Sequence, residues 1–69
     1  MEFNWIEGFT ISVKAEDNAV VISANREGLL SLATHLTALA NEKSGHFHLD
    51  QYNSLEEGSL ELIIEKRDQ

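Results

Sequence analysis

Sixty-nine residues without a cysteine set narrow limits: one domain, a thin core that buries about 60% of the unfolded surface, and no disulfide, thiolate metal site or thiol nucleophile. Twelve acidic against five basic residues leave a net charge of −7, a sign that repels nucleic-acid backbones and anionic membranes and speeds encounter with a basic partner. Apolar runs such as AVVI extend only a few residues, so neither a secretory nor a membrane-spanning segment is expected and the chain reads as soluble and uncleaved, while the absence of cysteine fits a cytoplasmic protein.

In chain order, MEFNWIEG (residues 1–8) carries Phe3, Trp5 and Ile6 ahead of Gly8, and either extends the first strand through a glycine bulge or folds over the sheet. FTISVKA (9–15) places Phe9, Ile11 and Val13 on one side and Thr10, Ser12 and Lys14 on the other, the two-residue period of a half-buried strand. The polar EDN, with Asp17 and Asn18 at the turn, leads into AVVISA (19–24), a second strand with Val20 and Ile22 inward, so the pair forms a hairpin. A helix begins at Arg26, where Asn25 accepts a hydrogen bond from a first-turn amide and Glu27 complements the positive end of the helix dipole. Its apolar stripe is centred on Leu29, Ala33, Leu36 and Ala40 and flanked by Leu32 and Leu39, while Glu27, Ser31, Thr34, Ala38 and Asn41 point away. Gly28 weakens the first turn by roughly 1 kcal/mol relative to alanine, which suggests close packing or a soft start. Gly45 ends the segment as a left-handed cap or turn residue.

HFHLD (46–50) supplies a third strand with Phe47 and Leu49 inward, and SLELIIEK (59–66) a fourth with Leu60, Leu62 and Ile64 inward. A helix of about sixteen residues returns the chain by about 24 Å, the length of a strand. Strand three then runs parallel to strand two and pairs with strand one between them. The expected fold is α+β: a ββαββ two-layer sandwich whose four-stranded antiparallel sheet has the order 2-1-3-4, with the helix on one face. QYNSLEEG (51–58) joins the last two strands and exceeds the two to five residues that a hairpin loop more often needs. Surplus of this kind commonly has a use.

Pleating gathers His46, His48 and Asp50 on the outer face, where nitrogen and carboxylate ligands suit zinc, copper or non-haem iron. Glu61 or Glu65 on strand four would supply a further ligand, and His35, on a helix against the opposite face, would not. No ligand spacing matches a metal motif; His46 and His48 stand as metal candidates against a solvated or interface strand face, and no cofactor is expected. A small sandwich leaves little room for a pocket, and the chain has neither a glycine-rich phosphate loop nor a serine, histidine and acid set, so it is not expected to be an enzyme. Adjacent Glu56 and Glu57 read as surface charge. On the outer face Val21 and Ile63 lie among Thr10, Ser12, Ser23, His46, His48, Glu61 and Glu65. Apolar spots in a polar rim beside an acidic loop describe a recognition surface. A homodimer that buries those faces against each other, or Phe3 and Trp5 folded across them, would cover the same residues.

The runs NREGLLSLATHLTALA and GHFHLDQYNSLEEGSLELIIEK are similar to the Immunity protein 32 family of bacterial polymorphic toxin systems, over roughly residues 9 to 66. The matching pieces are the Asn-Arg-Glu-Gly helix start, the His-x-His-Leu-Asp strand and the LEEGSLELII ending. The resemblance implies a small cytosolic protein that binds and neutralises a cognate toxin. An acidic inhibitor would suit a nuclease toxin with a basic active site, with Asp50, Glu56, Glu57 and Glu61 in place of phosphates. The expected footprint is the outer face and the 51–58 loop, comprising His46, His48, Asp50, Tyr52, Glu56, Glu57, Glu61 and Ile63, with Tyr52 and Trp5 as aromatic anchors. Histidines neutral near pH 7 would make such binding sensitive to mild acid. Two other classes remain open, a homodimeric structural or regulatory module and a small metal protein.

Overall fold

The structure is a computed structural model that describes residues 5–67. Its elements are β1 (Ile11–Glu16), β2 (Ala19–Ala24), α1 (Arg26–Ala40), β3 (Gly45–Leu49) and β4 (Leu62–Lys66). The ββαββ order and the α+β class agree with the sequence pattern. The first hairpin closes on Asp17 and Asn18, whose φ angles of 46° and 67° are those of a tight two-residue turn matched to the twist of the strands.

Asn25 caps α1 as expected and also fastens the helix to the strand before it. Its Oδ1 accepts from the Gly28 amide at 2.8 Å and from the Thr10 amide at 3.0 Å, while its Nδ2 donates to the Gly8 carbonyl at 2.9 Å. Gly28 is there for close approach: a Cβ would stand 2.5 Å from the Thr10 carbonyl oxygen and 2.9 Å from Ile11 Cγ1. The helix ends at Asn41, whose amide reaches the Thr37 and Ala38 carbonyls, rather than at Gly45, which opens β3. No basic residue occupies the last turn; Lys66 of β4 donates to the Ala40 carbonyl at 2.7 Å and to that of Glu42, and so brings a cation to the negative end of the helix.

The helix is turned by about one residue, near 100°, from the expected phase. Its buried residues are Gly28, Ser31, Leu32, His35 and Leu39; Leu29 and Leu36, assigned to the centre of the stripe, are exposed, as are Ala33 and Ala40. Ser31, expected outside, accepts from the Ile6 amide at 2.9 Å. His35 packs edge-on to Trp5 with centroids 4.2 Å apart, and Trp5 stacks on Phe9. The segment after residue 4 therefore folds over the core and does not extend β1. The Phe3 part of that expectation lies outside the described residues. Val20 and Ile22 share the pleat side of Val13 but are exposed rather than inward, at 66% and 42%.

The sheet also departs from the expected single order 2-1-3-4. Two two-stranded antiparallel sheets form instead, β1–β2 and β3–β4. The reason lies in the long loop. Leu55 enters the core, and this draws the following residues along the outer edge of β1, where the Glu56 amide donates to Ile11 O at 2.9 Å and the Leu60 amide to Val13 O at 2.8 Å. The Ser59 hydroxyl accepts from the Val13 amide. That edge is thus filled by the 56–60 segment where β3 was expected. Leu60, held beside β1, is exposed rather than inward. Ile11, Val13, Leu32, Leu39, Phe47, Leu49 and Leu55 make the core.

Candidate binding face on the second hairpin

In β3–β4 the register sets Phe47 opposite Ile64 and Leu49 opposite Leu62, with His46 opposite Glu65 and His48 opposite Ile63. Alternation sends the first group inward: Phe47 and Leu49 are buried. His46, His48, Ile63 and Glu65 are left on the exposed side. Glu61, just before β4, reaches the same side, and its Oε2 lies 2.9 Å from His48 Nδ1. The rings of His46 and His48 meet edge to face at 4.9 Å. Ile63, 53% exposed, sits between these polar groups as an apolar spot of the kind found at the centre of interfaces.

Asp50 and Tyr52 follow directly. The Asp50 carboxylate accepts from the Tyr52 amide at 2.8 Å and the Asp50 carbonyl from the amides of Asn53, Ser54 and Leu55, so Asp50 is engaged in closing a turn. The turn leaves the Tyr52 ring 88% exposed, a large amphipathic side chain held on ordered backbone. Asn53 accepts from the Asp50 amide and donates to the His48 carbonyl, and Gln51 Oε1 accepts from the Gly58 amide. Glu56 and Glu57, both exposed, stand where the loop runs along β1. The structure thus joins His46, His48, Glu61 and Ile63 in one patch, sets Asp50 and Tyr52 at its end, and carries Glu56 and Glu57 on the loop beyond. Reading the sequence missed the residues that order the loop, Gln51, Asn53, Leu55 and Ser59. The one available signal was an isolated leucine in a polar stretch.

Among the described residues no group of three or more histidine, cysteine or acidic side chains is placed to hold a metal ion. The outer face expected across four strands is also divided, because Thr10, Ser12, Ser23 and Val21 belong to the first hairpin and the histidine patch to the second. Ser44, Gly45, His46, Glu65, Lys66 and Arg67 line a shallow cleft at the end of the second. No described helix is long and apolar enough to cross a membrane.

Residues 19–67, from the first residue of β2 to the end of the described chain, match Immunity protein 32. The chain belongs to the Immunity protein 32 family. Membership covers α1, both strands of the second hairpin and the loop between them, and so includes every residue of the patch. No curated protein and no solved structure is matched.

Proposed function

We propose that this member of the family neutralises a cognate bacterial toxin in the cytoplasm by binding it, without catalysis, through the outer side of β3–β4 and the 51–58 loop. The observation that carries this reading is the patch itself. Ile63 and Tyr52 offer exposed apolar surface, flanked by His46, His48 and Glu61 and continued by Glu56 and Glu57, on a hairpin whose loop is ordered by its own hydrogen bonds. Such ordering lowers the entropy lost on docking. Both histidines stand beside acid groups, and the net charge of −7 favours a target with a basic site. A polymorphic nuclease toxin, with Asp50, Glu56, Glu57 and Glu61 facing groups meant for phosphate, fits that complementarity.

The test is native mass spectrometry and titration with the product of the adjacent gene. A one-to-one complex is expected, and the double substitution Glu56→Lys/Glu57→Lys should weaken it by about a hundredfold, about 2.7 kcal/mol. It should also abolish protection of cells that express the toxin. Full protection by that variant, with Tyr52→Ala equally harmless, would overturn the footprint.

A further inference from the structure

The edge of β2 presents a different surface. The Asn25 amide donates to Thr10 O in the register that pairs Ile11 with Ala24, so odd-numbered residues of β2 turn their N–H and C=O groups toward β1. Even-numbered Val20, Ile22 and Ala24 turn theirs to the open side. Among the described residues nothing pairs with that side. From Asn18 to Asn25 the chain carries no charge, and Val20, Val21 and Ile22 are all well exposed. Native edge strands are ordinarily guarded by lysine, proline or a covering segment. The other edge of the same hairpin has such cover in Glu56 and Leu60, and the second hairpin carries His46, His48, Glu65 and Lys66.

We propose that β2 pairs antiparallel with β2 of a second copy across a two-fold axis at Val21, joining the two first hairpins into one four-stranded sheet. The register follows from geometry and apolar cover. A two-fold axis perpendicular to the sheet keeps like faces together and sets outward-turned even residues opposite even residues, and an axis at the strand's central residues, Val21 or Ile22, pairs the most of β2. With Val21 on the axis, Val20 of each copy lies opposite Ile22 of the other, so the two exposed apolar pairs cover each other. The Asp17 turn of the second copy then lies beside Asn25 and Arg26, whose side chain is 78% exposed. With Ile22 on the axis Val20 would instead lie opposite Ala24, so the mutual cover of Val20 and Ile22 selects Val21. A second copy also suits a strand with no charge of its own, because the acidic side chains of both bodies stay outside the contact. The β3–β4 face remains open in this dimer, so it neither requires nor obstructs binding of a toxin.

The absence of native cysteine allows a clean test with the full chain alone. Sedimentation of the wild-type protein from low micromolar to millimolar concentration should show a monomer–dimer equilibrium, and Val21→Lys, which sets two ammonium groups face to face at the axis, should sediment as a folded monomer throughout. In Val21→Cys the paired Cα atoms would be about 4.5 Å apart, within disulfide reach. In Val20→Cys they would be roughly 8 Å apart, beyond it. Mild oxidation should therefore cross-link Val21→Cys at least tenfold faster than Val20→Cys or the exposed control Tyr52→Cys. A wild-type protein that stays monomeric at millimolar concentration, or equal cross-linking rates in the three variants, would overturn the proposal. Neither outcome bears on the toxin reading, since no toxin is present.

Discussion

The hairpin β1–β2 closes on two residues, Asp17 and Asn18, both with positive φ, whereas β3–β4 uses all of residues 50–61 for the same task. The short turn fixes the register of its strands by backbone geometry alone, and among the described residues the outer edge of β2 is left unpaired. The long loop turns back, buries Leu55 and fills the free edge of β1. One connection is therefore a local device, and the other is a structural member of its neighbour. The sharpest way to break this contrast is Leu55→Ala. Loss of a core leucine should destabilise by about 3 kcal/mol, read in chemical denaturation, with early loss of hydrogen-exchange protection at the Glu56 and Leu60 amides. The matching change on the other hairpin, Val20→Ala at a 66% exposed site, should stay within about 0.5 kcal/mol. Equal effects would mean that the loop only decorates β1.

A smaller effect tests how tightly the first hairpin holds the helix. In an exposed helix interior Gly→Ala stabilises by about 1 kcal/mol. At Gly28 the added Cβ meets the Thr10 carbonyl oxygen at 2.5 Å, and this is backbone fixed by the Asn25 bonds, so it cannot swing aside. Gly28→Ala should reverse sign and destabilise by about 2 kcal/mol, in the range of overpacked cores. A stabilised variant, measured by denaturant midpoint, would show that the hairpin yields.

The same contrast explains what the sequence disclosed. The alternation of β1, the Asp-Asn turn and the Asn25 cap act over a few residues and were legible, as were the inward Phe47 and Leu49 and the outward His46 and His48, whereas Val20, Ile22 and Leu60, expected inward, are exposed. The helix phase was not, because apolar residues lie on the flanks of α1 and its buried stripe holds Gly28, Ser31 and His35. Each of those is selected by tertiary neighbours: the Thr10 carbonyl and Ile11 side chain for Gly28, the Ile6 amide for Ser31, the Trp5 and Phe47 rings for His35. Counting hydrophobicity gives such residues no weight. Sheet order failed for a related reason, since the edge of β1 went to a loop segment with no strand pattern. Within the candidate site, exposure and alternation placed His46, His48, Glu61 and Ile63 together, but the bonds that order the 51–58 loop depend on partners up to seven residues apart and leave no periodic trace.

The smallest effect separates the two histidine environments that flank Phe47. His35 is fully buried, edge-on to Trp5 and 6.1 Å from the Phe47 ring, and burial lowers its pKa from the ordinary 6.5. His48 lies outside, against Glu61. Below pH 6.5 the unfolded chain protonates at position 35 while the folded chain holds that ring neutral, so the unfolded state binds more protons and stability falls with pH. The contribution is complete above 6.5, declines as pH drops below it, and levels off once pH passes the lowered folded value. Denaturant midpoints of the wild type and His35→Leu, compared between pH 7.5 and about pH 5, should therefore differ in slope and not merely in level, with the variant losing less on acidification. Parallel slopes would mean that the acid response does not come from the buried His35 ring. A wild-type decline that disappears in His35→Leu would instead show that mild acid acts on the core, so that any acid sensitivity of partner binding must be measured in the His35→Leu background to be assigned to the outer face.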